Sequence, residues 1–371
     1  MVKDFQLRND TKLLLRNNPV EDLTALCSGK NVLFVYGGGS VKTNGCYKDV
    51  ITAVEQSGGK IYEFGGASRE FEQVERGIRL AKEHQIDLVI GAGGASIMDC
   101  AKLIAFGVYH TDELWEYVKM QKNPYGLEKL PLILMPTYPS SGSEYGLGAV
   151  TADKRTGEFG TAYGIPADMA ILVPKYAMSL SAGMTAYTGA VTLVQLSVAT
   201  IGDLNPVSYH MGISIIKDVL NAAQTLKQKP DDLTAWGTIF YGASISTSGR
   251  LGLGKEENYA YDIYEVEFVP EILFDATYRK SLTTIFPRFL KAMSVYHEEH
   301  IKRYFYDAFG FDGSIENSVK KLIDLFTELG IDMFFDGDFT EDKISKIDIG
   351  SIFSENEIAD ILRDCLRTKK K

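Results

Sequence analysis

Three short stretches of the chain combine residue types that can hold phosphate or sugar oxygens. The first is Tyr36-Gly37-Gly38-Gly39-Ser40-Val41-Lys42, and the second is Gly91-Ala92-Gly93-Gly94-Ala95-Ser96. Each lies between an apolar run and a helical spacing. Glycines at such a turn let backbone N–H groups approach a phosphate, and the helix start adds partial positive charge. The third, Thr137-Tyr138-Pro139-Ser140-Ser141-Gly142-Ser143-Glu144, is dense in hydroxyls that can bind ribose, amide or phosphate oxygens. Two glycine turns in one chain point to a nucleotide or dinucleotide. Neither is GxGxxG, since Lys42 stands where the third glycine would fall. The plainer alternative is tight turns and a polar surface loop.

Other chemistry-bearing residues are sparse. His297-Glu298-Glu299-His300 could place two histidines on one helix face, or be a solvated face. Tyr278 stands two residues before Lys280, an ammonium that could lower a phenol's pKa, although i and i+2 do not face each other on a helix.

The elements that must position these residues follow from hydrophobic spacing. Apolar runs at 31–36, 60–64, 87–90, 130–135 and 170–173 read as strands. Helical spacing at 47–56, 71–84 and 97–106 separates the first of them. Strand, glycine turn and helix in repetition predict a parallel sheet covered on both faces. Beyond about Pro174 the spacing is helical throughout: 186–201, 209–226, 232–248, 282–295, 299–309, 318–329 and 357–366. The expected fold is α/β: an N-terminal Rossmann-like parallel-sheet dinucleotide-binding domain over 1–180 and an all-helical C-terminal domain over 181–371.

Composition narrows the function. The chain has 371 residues, 45% of them hydrophobic, enough for a substantial core. Its net charge of −10 argues against a nucleic-acid binder. The basic run Arg367-Thr368-Lys369-Lys370-Lys371 reads as a solvated tail. No apolar stretch is long enough for a membrane helix, and the first residues carry no signal core. Cys27, Cys46, Cys100 and Cys365 lack CxxC spacing and read as the reduced thiols of a cytoplasmic protein.

In order and spacing, YGGGSVK at 36–42, GGASIMDCAK at 93–102 and TYPSSGSE at 137–144 resemble the motifs of the iron-containing alcohol dehydrogenase family. The second departs from GGGSxxDxAK only at Ala95, and the third is close to TxPxTGSE. The YGGGSVK form looks most like the NADPH-dependent butanol-dehydrogenase and aldehyde-reductase branch. The resemblance spans nearly the whole chain. It implies a dehydroquinate synthase-like pair of domains with the active site in the cleft between them. It also implies cofactor contacts at Gly37, Gly38, Gly39, Ser40, Gly93, Gly94, Ala95, Ser96, Asp99, Thr137, Ser140, Ser141 and Ser143.

The family also implies a divalent metal held by one aspartate and three histidines. Carried over, those ligand positions are Val191, Gln195, Tyr261 and Tyr278. Valine cannot coordinate, and glutamine and neutral tyrosine are poor ligands for iron or zinc. No histidine lies between His210 and His297 to rescue the site. The expectation is that the divalent metal is absent. Losing its Lewis acidity forfeits several kcal/mol of transition-state stabilisation. The family's cofactor-cleft lysine falls at Phe159, with Lys154 or Arg155 as substitutes. The acidic, tyrosine-rich run with Asp262, Tyr264, Glu265 and Glu267 falls at the family's active-site wall. Asp262 there could accept a proton, bind a cationic substrate, or stand on a solvated rim.

Catalytic candidates are therefore Tyr278, Tyr261 and Asp262. NADP(H) is expected ahead of NAD(H), because Gly38 and Ser40 replace the aspartate of NAD-preferring members and Lys42 and Lys48 add positive charge. Glu63 argues the other way, as an acid able to take a ribose 2′-hydroxyl. The expected function is NAD(P)H-dependent reduction of a small aldehyde or ketone, or the reverse alcohol oxidation. The alternative is a nucleotide-binding pseudoenzyme with a binding or assembly role. A homodimer is the expected assembly, with no nucleic-acid or membrane partner.

Overall fold

The computed structural model describes residues 3–203, 205–255, 257–347 and 349–367. The strands are β1 Lys12–Leu15, β2 Asn31–Tyr36, β3 Lys60–Phe64, β4 Leu88–Gly93, β5 Leu132–Pro136, β6 Gly148–Asp153, β7 Glu158–Tyr163 and β8 Met169–Leu172. Between them lie α1 Val20–Cys27, α2 Ser40–Thr43, α3 Cys46–Gln56, α4 Phe71–Glu83, α5 Ala95–Gly107 and α6 Leu114–Val118. Then follow α7 Ala182–Thr200, α8 Pro206–Gln228, α9 Leu233–Ser246, α10 Ile263–Val266, α11 Phe268–Phe274, α12 Tyr278–Phe309, α13 Ile315–Leu329, α14 Glu341–Ile344 and α15 Glu355–Asp364.

Six strands form one sheet in the order β1-β8-β5-β4-β2-β3, every pair parallel. Residues 32–35 of β2 and 88–90 of β4 are buried, as a sheet covered on both faces requires. One apolar layer joins β-sheet residues Val35, Val89 and Leu134 to Ile78 and Ile104. The other joins Phe34, Ile90 and Ile133 to Val50, Val54 and Leu23. The chain runs outward from β2 to β3 and then returns to place β4 on the other side of β2. That reversal is the switch point at which open α/β sheets bind ligands.

The sheet exceeds the sequence reading by β1, a four-residue edge strand with only Leu14 buried. The β6–β7 hairpin was also missed, because its residues alternate weakly between small and polar types.

The chain divides into two units. One contains Arg8–Leu180 and also Asp231–Ser248. The other contains the described residues of Met1–Leu7, Ser181–Pro230 and Gly249–Lys371. The division at 180/181 recurs here except that α9 groups with the sheet. Its Trp236, Ile239, Phe240, Ala243 and Ile245 are buried, so it is apolar on more than one face. Ser244 donates to the Glu144 carboxylate at 2.6 Å and Thr247 to the Gly142 carbonyl at 2.8 Å. A run spaced like any core helix carries no sign of which core it joins.

In the helical unit, the two expected helices at 282–295 and 299–309 are one element, α12, broken only at His297 (φ −136°, ψ 45°). Arg367 is no loose tail: it pairs with Asp332 at 2.9 Å and Asp336 at 2.8 Å. Residues 368–371 lie outside the described residues. Among the described residues no helix is long and apolar enough to cross a membrane.

Candidate functional site

The three motif turns leave the carboxyl ends of β2, β4 and β5, which are neighbours in the sheet. Sheet pairing therefore assembles what the sequence separates by a hundred residues. In the first turn, Gly37 is partly buried and Gly38, Gly39 and Ser40 are exposed. A Cβ at Gly38 or Gly39 would meet nothing within 4 Å, whereas one at Gly37 would press on Ile97 Cδ1 at 3.0 Å. Two glycines thus hold open space and one permits packing.

The second turn is tighter. The Gly93 carbonyl accepts Thr137 N–H at 3.1 Å, tying the second and third motifs together. A Cβ at Gly94 would lie 2.4 Å from the Tyr138 hydroxyl. The α5 helix starts here with no side-chain cap, and Ile97 and Met98 N–H return to the Gly94 carbonyl. The first-turn amides of Ala95 and Ser96 lie at the partly exposed start of a helix thirteen residues long. Thr137 is buried, and Ser140 and Ser141 are partly exposed on the same loop.

Asp99 and Ser143 are two of the cofactor contacts that the resemblance implies. Both are buried, and Ser143 Oγ donates to Asp99 at 2.6 Å. Lys102, fully buried, donates to Ser143 Oγ at 3.2 Å, the Gly146 carbonyl at 2.9 Å and the Gly148 carbonyl at 2.7 Å. The nearby Glu144 carboxylate takes the Ser244 hydroxyl. Burial raises the Asp99 and Glu144 carboxyls, and Lys102 and hydrogen bonds oppose this. These groups brace the loop after β5 against α5 and α9. Sequence reasoning missed Lys102 and Glu144 as members; the signal was a lysine and a glutamate inside glycine-rich motifs, since both types are rarely buried unpaired.

Glu63, at the end of β3, has both carboxylate oxygens occupied. Tyr36 donates to one at 2.6 Å and Tyr47 to the other at 2.9 Å. Lys42 Nζ stands over both rings, 5.6 Å and 5.1 Å from their centres. Phe159, at the position of the family's lysine, is an exposed side chain on β7. Neither proposed substitute is free: Lys154 pairs with Glu70 at 2.5 Å and Arg155 with Asp153 at 2.7 Å.

In the helical unit, Gln195 Nε2 donates to the Tyr278 hydroxyl at 3.4 Å. The Tyr261 and Tyr264 rings meet at 5.9 Å between centres. Lys255 donates to the Val198 carbonyl at 3.1 Å, at the end of α7, and stands 5.5 Å from the Tyr261 ring centre. Burial lowers its pKa to about 8. Val191 is buried and purely apolar. Among the described residues no group of three or more His, Cys, Asp or Glu side chains is placed to hold a metal. The side chains of Val191, Gln195, Tyr261 and Tyr278 do not make a donor set that fits iron or zinc.

Asp262 is partly buried and accepts Ser351 Oγ at 2.6 Å and Ile352 N–H at 2.9 Å, so each of its oxygens ties down a loop. Lys280 points to the Asp332 carboxylate at 2.8 Å and the Phe334 carbonyl at 2.7 Å, away from any pairing with Tyr278. His297 and His300 do not form a solvated face. The His297 ring stacks on Tyr259 at 3.7 Å, and His300 Nδ1 meets the Tyr259 hydroxyl at 3.0 Å. All four cysteines are buried and unpaired, and burial pushes Cys27 up to about 11.

The family model for iron-containing alcohol dehydrogenase matches residues 10–174. The chain is 27% identical over 299 residues to a probable NADH-dependent butanol dehydrogenase 1 of Bacillus subtilis (strain 168), covering 78% of this chain and 76% of that protein. It is 24% identical to an NADPH-dependent aldehyde reductase of Escherichia coli (strain K12), covering 70% and 68%. The crystal structure of an NADH-dependent butanol dehydrogenase A from Thermotoga maritima superposes with a TM-score of 0.86 at 20% identity, over 99% of each chain. The match to the iron-containing alcohol dehydrogenase family thus covers the sheet whose neighbouring strands carry the three motifs.

Proposed function

We propose that the protein is a nicotinamide-dependent oxidoreductase acting on a small aldehyde or ketone, or on the matching alcohol, without a divalent metal. NADP(H) is taken ahead of NAD(H). The observation that carries the reading is the convergence of the three motif turns at the carboxyl ends of β2, β4 and β5. Sharing a name-level chemistry with the butanol dehydrogenases and the aldehyde reductase supports the carbonyl substrate.

The cofactor, when bound, supplies or accepts a hydride at its nicotinamide ring. The chain's own part is to hold it. The Ala95 and Ser96 amides at the start of α5 suit a pyrophosphate. The open turn at Gly38 and Gly39 admits the adenosine end. Thr137, Ser140 and Ser141 offer hydroxyls to ribose or amide oxygens. No carboxylate lies in 37–44, and the one at Glu63 is held by two tyrosine hydroxyls under Lys42. That arrangement favours a 2′-phosphate.

Calorimetric titration of metal-stripped protein with NADPH and NADH tests the cofactor half. Low-micromolar NADPH binding, well ahead of NADH, is expected. Steady-state NADPH oxidation with a panel of short aldehydes tests the chemistry. The second reading, a nucleotide-binding protein without chemistry and with an assembly role, is favoured by Val191 at a ligand position. It stands if NADPH binds and no aldehyde turns over.

A further inference from the structure

A fourth turn stands at the carboxyl end of the sheet: Gly65-Gly66-Ala67-Ser68-Arg69, after β3. Like the three motif turns, it lies wholly within the sheet unit. Gly66 N–H donates to the Gly37 carbonyl and Ala67 N–H to the Tyr36 carbonyl, both at 3.0 Å, which docks the turn on the first motif. A Cβ at Gly65 would lie 2.9 Å from the Tyr36 ring, so glycine permits that approach. The Ser68 backbone hydrogen-bonds the Cys100 sulfur, in the second turn of α5. The Arg69 carbonyl accepts Thr151 Oγ1 at 2.7 Å and Ala152 N–H at 3.0 Å, both from β6. The backbone leading to Arg69 is thus held by the first glycine turn, by α5 and by the β6–β7 hairpin.

The Arg69 side chain is exposed, and no carboxylate pairs with it among the described residues. The acids of this region are served by other cations. Lys154 takes Glu70 at 2.5 Å, and Arg155 takes Asp153 at 2.7 Å and Glu75 at 3.1 Å. Burial raises the Asp99 carboxyl on α5, and Lys102, Ser143, the Val150 N–H and the Arg69 charge pull against it, which puts the guanidinium near that helix. An unclaimed guanidinium on a fixed backbone therefore stands close to the helix whose start carries the free Ala95 and Ser96 amides.

We propose that Arg69 grips the pyrophosphate of the bound dinucleotide beside the Ala95 and Ser96 amides. The inference rests on the dinucleotide half of the reading above and uses groups of the sheet unit alone. Helix-start amides offer donors but only a partial charge. A guanidinium adds a full charge and a planar fork that matches two phosphate oxygens. Lys42 stands over the Tyr36 and Tyr47 rings, beside Glu63, so the two cations divide the cofactor: Lys42 by the 2′-phosphate and Arg69 by the pyrophosphate.

The test is calorimetric titration of the full-length protein, and of its Arg69→Met and Arg69→Lys variants, with NADPH, NADH and ADP. Arg69→Met should weaken all three about tenfold, the order expected of one charge-assisted contact, and keep the NADPH-to-NADH ratio within about twofold. Arg69→Lys keeps the charge without the fork and should stay within about threefold of the parent. The side chain is exposed, so thermal unfolding of both variants should stay within about 1 °C of the parent. Weakening of NADPH alone overturns the inference by placing Arg69 on the 2′-phosphate. Nucleotide binding indifferent to Arg69→Met overturns it and leaves the dinucleotide reading standing. A fall of more than about 5 °C in the unfolding of both variants makes Arg69 structural and overturns it too. A parent protein that binds none of the three nucleotides overturns both readings. Binding that depends on Arg69 in a protein that reduces no aldehyde supports the clamp and refutes only the reductase chemistry.

Discussion

The Tyr36 hydroxyl donates to Glu63 at 2.6 Å, fixing the acid one residue before the end of β3 on the tyrosine that ends β2. With Tyr47 on its other oxygen, the carboxylate keeps its charge, but each of its oxygens already accepts a hydrogen bond. Lys42 above the two rings adds the opposite charge nearby. Glu63→Gln should therefore tighten NADPH binding by about 1 kcal/mol, roughly fivefold, at low salt, and affect NADH much less. The double change Tyr36→Phe and Tyr47→Phe frees the carboxylate and should move preference toward NADH. Calorimetric dissociation constants for both nucleotides check each direction; a Glu63→Gln protein with an unchanged NADPH-to-NADH ratio would place the adenosine ribose elsewhere.

The glycines of the motif turns should separate into two classes. A Cβ at Gly38 meets nothing within 4 Å, so Gly38→Ala should leave thermal stability within about 1 °C while weakening NADPH binding tenfold or more. Gly142 adopts φ +66°, and a Cβ there would sit 2.2 Å from the Ala243 carbonyl. Gly142→Ala should cost at least about 2 kcal/mol of stability, read from urea unfolding. If Gly38→Ala binds NADPH normally, the first turn is architectural only.

The sheet and the glycine turns at its carboxyl ends were legible because βαβ spacing and glycine placement are local signals. Asn31–Tyr36 and Lys60–Phe64 fall where their apolar runs put them. What escaped depends on distant partners. The α9 helix reads as one more core helix, and only the Ser244–Glu144 and Thr247–Gly142 contacts attach it to the sheet. Asp99 sits inside a cofactor motif, yet Ser143, 44 residues on, turns it inward. Asp262 looked catalytic by charge, and Ser351 and Ile352 engage both its oxygens. Val191 and Gln195 were readable one by one from the sequence, but the Gln195–Tyr278 contact joins residues 83 apart and needed the fold.

Lys102 should be a large single contributor to the sheet unit's stability. It is fully buried between the Gly146 and Gly148 carbonyls and Ser143, and it is the ammonium that offsets Asp99 and Glu144. Lys102→Met keeps the volume and removes the charge, leaving two buried carboxyl groups and two carbonyls short of a donor. The expected loss is about 3–5 kcal/mol in urea unfolding. Adding Asp99→Asn to Lys102→Met should recover part of it, because the uncompensated charge goes with it. A loss under 1 kcal/mol in the single variant would mean that water replaces the ammonium.

Lys255 gives the stability curve a recognisable shape in base. Burial depresses its pKa from 10.5 to about 8 in the folded protein. Between those two values the unfolded chain binds more protons at this site than the folded one does. Stability attributable to Lys255 therefore rises with pH through this window, and the penalty for burying its charge is fully present below pH 8. The four buried cysteines act oppositely. Their thiols stay protonated when folded and ionise when unfolded near pH 9, so stability lost through them begins there. The Lys255 contribution is isolated by comparison with Lys255→Met, which lacks the titrating group and keeps the aliphatic stem over Tyr261. From pH 8 to 9 the wild-type unfolding free energy should gain about 1 kcal/mol relative to the variant. Parallel urea-unfolding curves for the two proteins across that interval would show that the ammonium is hydrated and its burial costs nothing.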